Sequence, residues 1–125
     1  MGKIRFSPAT IKAGFLVENP DWYDYEIVKH MEKAATTGSV NHILIFEGRS
    51  GEMDGVPVSK LINEKADWVA LPIFVAANGG NPPDPESDYD WDDLVGVRMS
   101  VFTKRGARQD GTPQNDLVEF KPLGK

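Results

Sequence analysis

Cysteine is absent from this 125-residue chain, and histidine occurs only at His30 and His42. Without thiols there is no disulfide framework, no zinc ribbon and no thiol nucleophile, and the absence fits a reducing, cytoplasmic compartment. Two histidines without a cysteine argue against a closed structural zinc site, so no metal ligands and no cofactor are expected. Long apolar runs are missing too. The longest, 68–77, has ten residues and contains Pro72, about half of what a membrane-spanning helix needs, so no membrane partner is expected. The N-terminus, Met1-Gly2-Lys3-Ile4-Arg5-Phe6, has no apolar signal region, and Phe6 stands where a myristoylation signal requires Ser or Thr; it reads as an unprocessed start. There is no Gly-x-Ser-x-Gly nucleophile motif. The glycine-rich segment 106–112 lacks the lysine of a phosphate loop and reads as a hairpin. No catalytic residue is identified, and the chain is not expected to be an enzyme.

The chain has 40% hydrophobic and 26% charged residues, which is one ordinary domain with enough core to fold without a staple. The formal net charge of −5 argues at first against a nucleic-acid partner. The distribution of that charge argues the other way. Six of the 19 acids (Asp84, Glu86, Asp88, Asp90, Asp92, Asp93) lie between Asn78 and Val95 with no base among them, leaving 13 acids against 14 bases elsewhere. Residues 1–17 carry Lys3, Arg5 and Lys12 without an acid, and residues 96–109 carry Arg98, Lys104, Arg105 and Arg108 likewise. Local sign governs polyanion binding more than net charge does.

Hydrophobic periodicity divides the chain into an irregular N-terminal arm, 1–20, with at most one short strand, and a single domain, 21–125. A first strand over 21–35 alternates Tyr23, Tyr25 and Ile27 against Trp22, Asp24 and Glu26 and loses phase near Val28 to His30, as a bulge would make it do. A second over 40–47 is apolar on both faces. A third over 56–63 begins at an edge or a bulge because of Pro57. One helix follows, with Asp67 as N-cap, a buried stripe of Trp68, Leu71 and Val75, and Asn78-Gly79-Gly80 as its stop. After the acidic, proline-rich loop come strands over 97–104, with Val97, Met99 and Val101 on one face, and 116–122. Three strands, a helix and two strands is the order of a mainly β, five-stranded OB-like Greek-key barrel, with its one helix between strands three and four. A small open β-sandwich with one helix is the second reading.

Single-stranded nucleic acid needs a cationic track for its phosphates and flat side chains for its bases. The candidate binding residues are Arg98, Phe102, Lys104, Arg105 and Arg108 at the fourth strand and the loop after it, with Lys33, His42, Phe46 and Lys60 from the first three strands. Phe46 and Phe102 also suit a core, and strand lysines often serve only to solvate an edge. The acids of 84–93 read best as a solvated loop. Wrapping a hard cation, or competing with a bound strand for the basic groove, are the other readings.

Several segments taken in order resemble a known family. They are Tyr23-Asp24-Tyr25-Glu26-Ile27, Thr37-Gly38, Phe46-Glu47-Gly48, Met53-Asp54-Gly55-Val56-Pro57-Val58, Trp68 in a helix ending Ala77-Asn78-Gly79, Asp92-Asp93-Leu94-Val95-Gly96, Asn115 and Val118-Glu119-Phe120-Lys121-Pro122. Their order and spacing are similar to those of small bacteriophage-encoded proteins from replication and recombination gene clusters, classed as a domain of unknown function. The resemblance implies an OB-like fold and single-stranded-DNA binding in the cytoplasm of an infected bacterial host, beside phage or host replication and recombination proteins. It carries over no catalytic residue, because the matching positions are turn glycines and core residues. The basic C-terminus, Phe120 to Lys125, departs from the acidic tail through which many single-strand binders recruit partners. The expected function is therefore non-catalytic single-stranded-DNA binding with weak sequence preference, and the N-terminal arm is the candidate element for assembling a homo-oligomer. The alternative is a protein-interaction or virion-assembly module on a small β-barrel. A metal-dependent nuclease would require the 84–93 carboxylates to converge on a cation.

Overall fold

The computed structural model describes residues 2–124; the expected arm and domain thus lose only Met1 and Lys125, which lie outside the described residues. The chain is mainly β: five strands form one open antiparallel sheet, accompanied by two short helices. In chain order the elements are α1 (Pro8–Ala13), β1 (Asp21–Ala34), β2 (Val40–Gly48), β3 (Pro57–Asn63), α2 (Asp67–Ala77), β4 (Arg98–Ala107) and β5 (Pro113–Pro122), with single 3-10 turns at Gly51–Met53 and Trp91–Leu94. The sheet order is β3-β2-β1-β4-β5. β1 is long enough to serve two partners: its first part, Asp21 to Glu26, pairs with β4, and Tyr25 to Ala34 pairs with β2.

Alternation places Tyr23, Tyr25 and Ile27 of β1, Leu44 and Phe46 of β2, Val58 and Ile62 of β3, Met99 and Val101 of β4 and Leu117 of β5 on one buried face. The expected loss of phase in β1 is a bulge: the register steps from Ile27↔Phe46 to Lys29↔Ile45, so Val28 is extra. One inserted residue exchanges the faces of everything after it. Odd-numbered residues point inward before Val28, and the even-numbered His30 and Glu32 share the inward side after it. β3 lies at a sheet end, the position to which Pro57 confines it. Gly48 is required by close approach, since a Cβ there would lie 1.8 Å from the Met53 carbonyl oxygen in the turn that leads into β3.

α2 ends where expected, starts one residue earlier, at Asp67, and buries another face. Ala70, Ile73 and Ala76 pack inward, whereas Trp68 is 70% and Leu71 47% exposed. The segment is apolar all round, so periodicity does not single out one stripe, and the small alanines allow the helix to lie close against its main neighbour, β5. Ala66 occupies the N-cap position without a side-chain bond, and Asp67 is the first helical residue, where its charge favours the helix dipole.

Among its described residues the arm holds no strand. Ser7 caps α1 by accepting from the Thr10 N–H, Pro8 starts the helix and the chain leaves at Gly14. The arm then closes onto the sheet. Val17 is fully buried, its N–H donates to Asn115 Oδ1 at 2.8 Å, and Asn115 Nδ2 donates to the Phe15 carbonyl at 2.8 Å. The Glu52 carboxylate accepts the N–H groups of Glu18 and Asn19 and the Asn19 side-chain amide. Among the described residues no helix is long and apolar enough to cross a membrane.

Candidate nucleic-acid interface

A groove of about 1020 Å³ runs between the β3 side of the sheet and β5, roofed at one end by the β4–β5 hairpin. Lys60, Lys104 and Arg108 line it, with Asp116 as its acid. The hairpin closes through Arg108 N–H donating to the Thr112 carbonyl at 2.8 Å, with Gly111 at φ 86°, so the glycine-rich segment is the turn its composition implied.

Lys60 lies on the inward side of β3 and stretches across the gap. Its Nζ is 3.5 Å from the Leu117 carbonyl and 5.8 Å from the centre of the Phe120 ring. Burial lowers its pKa, opposed by the Asp116 charge. Lys104 stands opposite Asp116 in the β4–β5 register. Asp116 accepts from Gln114 Nε2 at 2.7 Å and lies over Gly106, where a Cβ would meet its carboxylate at 1.7 Å. The other wall is apolar: Met31, Ile43 and Leu61 sit opposite one another across β1, β2 and β3, on the face turned away from the core. Their outward alternation was available in the sequence, but Ile43 on a strand apolar on both sides reads as core.

Three of the nine candidates thus line one groove. The others have different places. Phe46 is fully buried, edge-on to Tyr25 at 6.2 Å and tilted against Phe120 at 5.9 Å. It is core, and cannot stack on a base. His42 is also buried, with Trp91 parallel to its ring at 4.2 Å and 5°, so that face is covered. Both follow from even-numbered residues of β2 pointing inward. Burial and neighbouring His30 hold His42 below the usual imidazole pKa, against the opposing charges of Glu32 and Glu64. Arg98 donates to Glu26 at 3.0 Å, and Glu26 also faces Arg49 at 3.8 Å, which places Arg98 in an ion-pair cluster. Arg105 Nε donates to the Val17 carbonyl at 2.6 Å and anchors the arm.

Phe102 is half-buried on the outer face, edge-on to Trp22 at 5.7 Å, and Lys121 Nζ lies 4.3 Å over the Trp22 ring. This patch is separate from the groove lining, and its Trp22 and Lys121 were not among the candidates. Lys33 is exposed in register with Asn41, two residues beyond the Met31 row and outside the groove lining. Three of the six acids of 84–93 make side-chain bonds. Asp84 accepts from the Glu86 N–H and the Ser87 hydroxyl, Asp90 caps the following turn by accepting from the Asp92 N–H, and Asp92 bonds His30. Among the described residues they form no group of three converging donors.

In comparisons with known proteins, no family model matches the chain, and no curated protein matches it either.

Proposed function

We propose that this protein is a non-catalytic single-stranded-DNA-binding protein with an OB-like barrel, of the kind that serves phage replication and recombination in the host cytoplasm. Supporting the barrel reading, β1 is shared between β2 and β4, α2 intervenes between β3 and β4, and β3 and β5 face each other across the gap that Lys60 spans. The registers are steeply staggered. Lys60 leads through Leu44 to His30, whereas Leu117, which Lys60 reaches, leads through Thr103 to Asp21, nine residues earlier on β1. Tilted strands with a large stagger are what closing a small sheet demands.

The observation that carries the function is the convergence of Lys60, Lys104 and Arg108, from β3, β4 and the β4–β5 loop, on one groove. In an OB-like barrel that loop and the β2–β3 face bind single strands. With three phosphate contacts, the binding constant falls with salt at a log–log slope of about −2, or roughly 20-fold between about 50 and 200 mM. The apolar row Met31, Ile43, Leu61 offers bases a surface with little hydrogen-bond readout, hence weak sequence preference. The same row favours a second reading, a protein-interaction module on this face.

Fluorescence anisotropy of a labelled single-stranded oligonucleotide, titrated at several salt concentrations with duplex competitor, separates the two. Salt-sensitive binding that prefers the single strand is expected, with Lys104→Gln or Arg108→Gln each removing about 0.7 from the slope. Arg105→Gln, which removes one of the contacts that anchor the arm and touches no groove wall, leaves the slope unchanged. Absence of binding at low salt and tens of micromolar protein refutes the DNA reading and leaves the protein-partner reading.

A further inference from the structure

The bulge at Val28 has a chemical consequence at the far end of the β1–β2 hairpin. By turning His30 and Glu32 to the inward side, it sets Glu32 directly opposite His42 in the register and His30 diagonal to it. The Trp91–Leu94 turn covers the cluster: Trp91 stacks on His42, and Asp92 Oδ1 lies 2.7 Å from His30 Nδ1. With Nδ1 turned to that carboxylate, the other ring nitrogen of His30, Nε2, faces inward. That atom is 2.9 Å from His42 Nδ1, which is in turn 4.0 Å from Glu32 Oε1. One donor atom from each of the three residues fits within a 4.8 Å span.

We propose that His30 Nε2, His42 Nδ1 and the Glu32 carboxylate hold a divalent transition-metal ion, zinc in the first instance, with Asp92 orienting His30 from outside. Two imidazoles and a carboxylate are a donor set that suits zinc with a fourth position left open. Bonds of about 2.0–2.1 Å in a tetrahedron place donors about 3.3 Å apart. The two nitrogens need to separate by only a few tenths of an ångström, and Glu32, its side chain 63% exposed, is free to swing inward. The histidines are held on paired strands with 5% and 8% side-chain exposure, so most of the positioning precedes the ion. A carboxylate on the remote nitrogen of a ligating histidine fixes its tautomer and raises its basicity, which is the place Asp92 occupies. Because Trp91 and Asp92 belong to the acidic segment, the ion would also pin that segment to the β1–β2 hairpin.

The site differs from a closed structural zinc centre in having three protein ligands. The sequence did not signal it because no fixed spacing joins residues 30, 32 and 42; the bulge and the strand register bring them together.

The test is zinc titration of the full chain by calorimetry at neutral pH, with cobalt(II) absorption reporting coordination number. Expected are one ion per chain, a cobalt spectrum of low coordination number, loss of binding in His30→Gln, and much weaker binding in Glu32→Gln. Asp92→Asn weakens affinity roughly 10–100-fold, while Asp88→Asn changes nothing. Glu32 and Asp92 are exposed, so their variants keep the fold, verified by circular dichroism, and decide the matter if His30→Gln does not fold. No zinc uptake at about 100 µM by the parent chain, or equal uptake by parent and Glu32→Gln, overturns the proposal.

Discussion

The Tyr25 and Thr103 hydroxyls meet inside the sheet, and replacing them separately should give unequal losses. Both residues are fully buried; Tyr25 Oη lies 2.9 Å from Thr103 Oγ1, and Thr103 Oγ1 donates to the Val101 carbonyl at 3.3 Å. The chain of donors therefore runs from Tyr25 to Thr103 to Val101. Tyr25→Phe removes one neutral hydrogen bond but leaves the Thr103 proton on its carbonyl, a loss of about 0.5–1.5 kcal/mol. Thr103→Val keeps the side-chain shape and leaves a buried phenolic proton without an acceptor, a loss of about 1–3 kcal/mol. The double variant replaces both hydroxyls with apolar groups of nearly the same shape. It should be less destabilised than the two single losses added together, by about 1 kcal/mol of coupling. Urea unfolding monitored by tryptophan fluorescence and circular dichroism gives all three values. A Tyr25→Phe loss equal to or larger than that of Thr103→Val, or strict additivity in the double variant, would refute the assigned donor order.

The same tyrosine predicts an alkaline limit. Burial, partly opposed by its Thr103 bond, pushes the Tyr25 pKa from 10.0 up to about 12, so folding favours the protonated form. That stabilisation is complete below pH 10 and is lost as pH rises towards 12, at up to about 1.4 kcal/mol per pH unit; urea midpoints measured across this window should fall less steeply in Tyr25→Phe than in the parent chain. Gly48→Ala should cost about 1–3 kcal/mol or more, because its Cβ would meet the Met53 backbone oxygen at 1.8 Å and the turn must move; a urea midpoint unchanged from the parent would show that the approach is not tight.

Much of the architecture was legible in the sequence because a strand's period of two is a local property. Tyr23, Tyr25 and Ile27 alternate against polar neighbours, and the loss of phase at Val28 is the bulge that the register contains. Turn glycines and prolines bounded the strands for similarly local reasons. The arm escaped because Ser7 and Pro8 cap a helix of only six residues, too short for a periodic pattern. The face of α2 escaped because an all-apolar helix contains no contrast to read.

At the candidate site the division has the same origin. Basic residues clustered near the β4–β5 hairpin are visible as composition, and three of the candidates do line the groove. Composition cannot say which charges are already occupied. Arg98 and Arg105 are committed to Glu26 and to the Val17 carbonyl, partners far away in sequence. Nor does an aromatic residue on a strand reveal whether its side is covered, which is why His42 and Phe46, the latter suited equally to a core, stood among the candidates and are buried.

The order of residues is enough to specify a cysteine-free domain, its strand segments, the bulge and the segregation of acids into 84–93, since each follows from neighbours along the chain. The pairing order, the groove between β3 and β5, and the meeting of His30, Glu32, His42 and Asp92 came from packing in three dimensions. They depend on register and stagger between strands, where a slip of one residue would reverse every face.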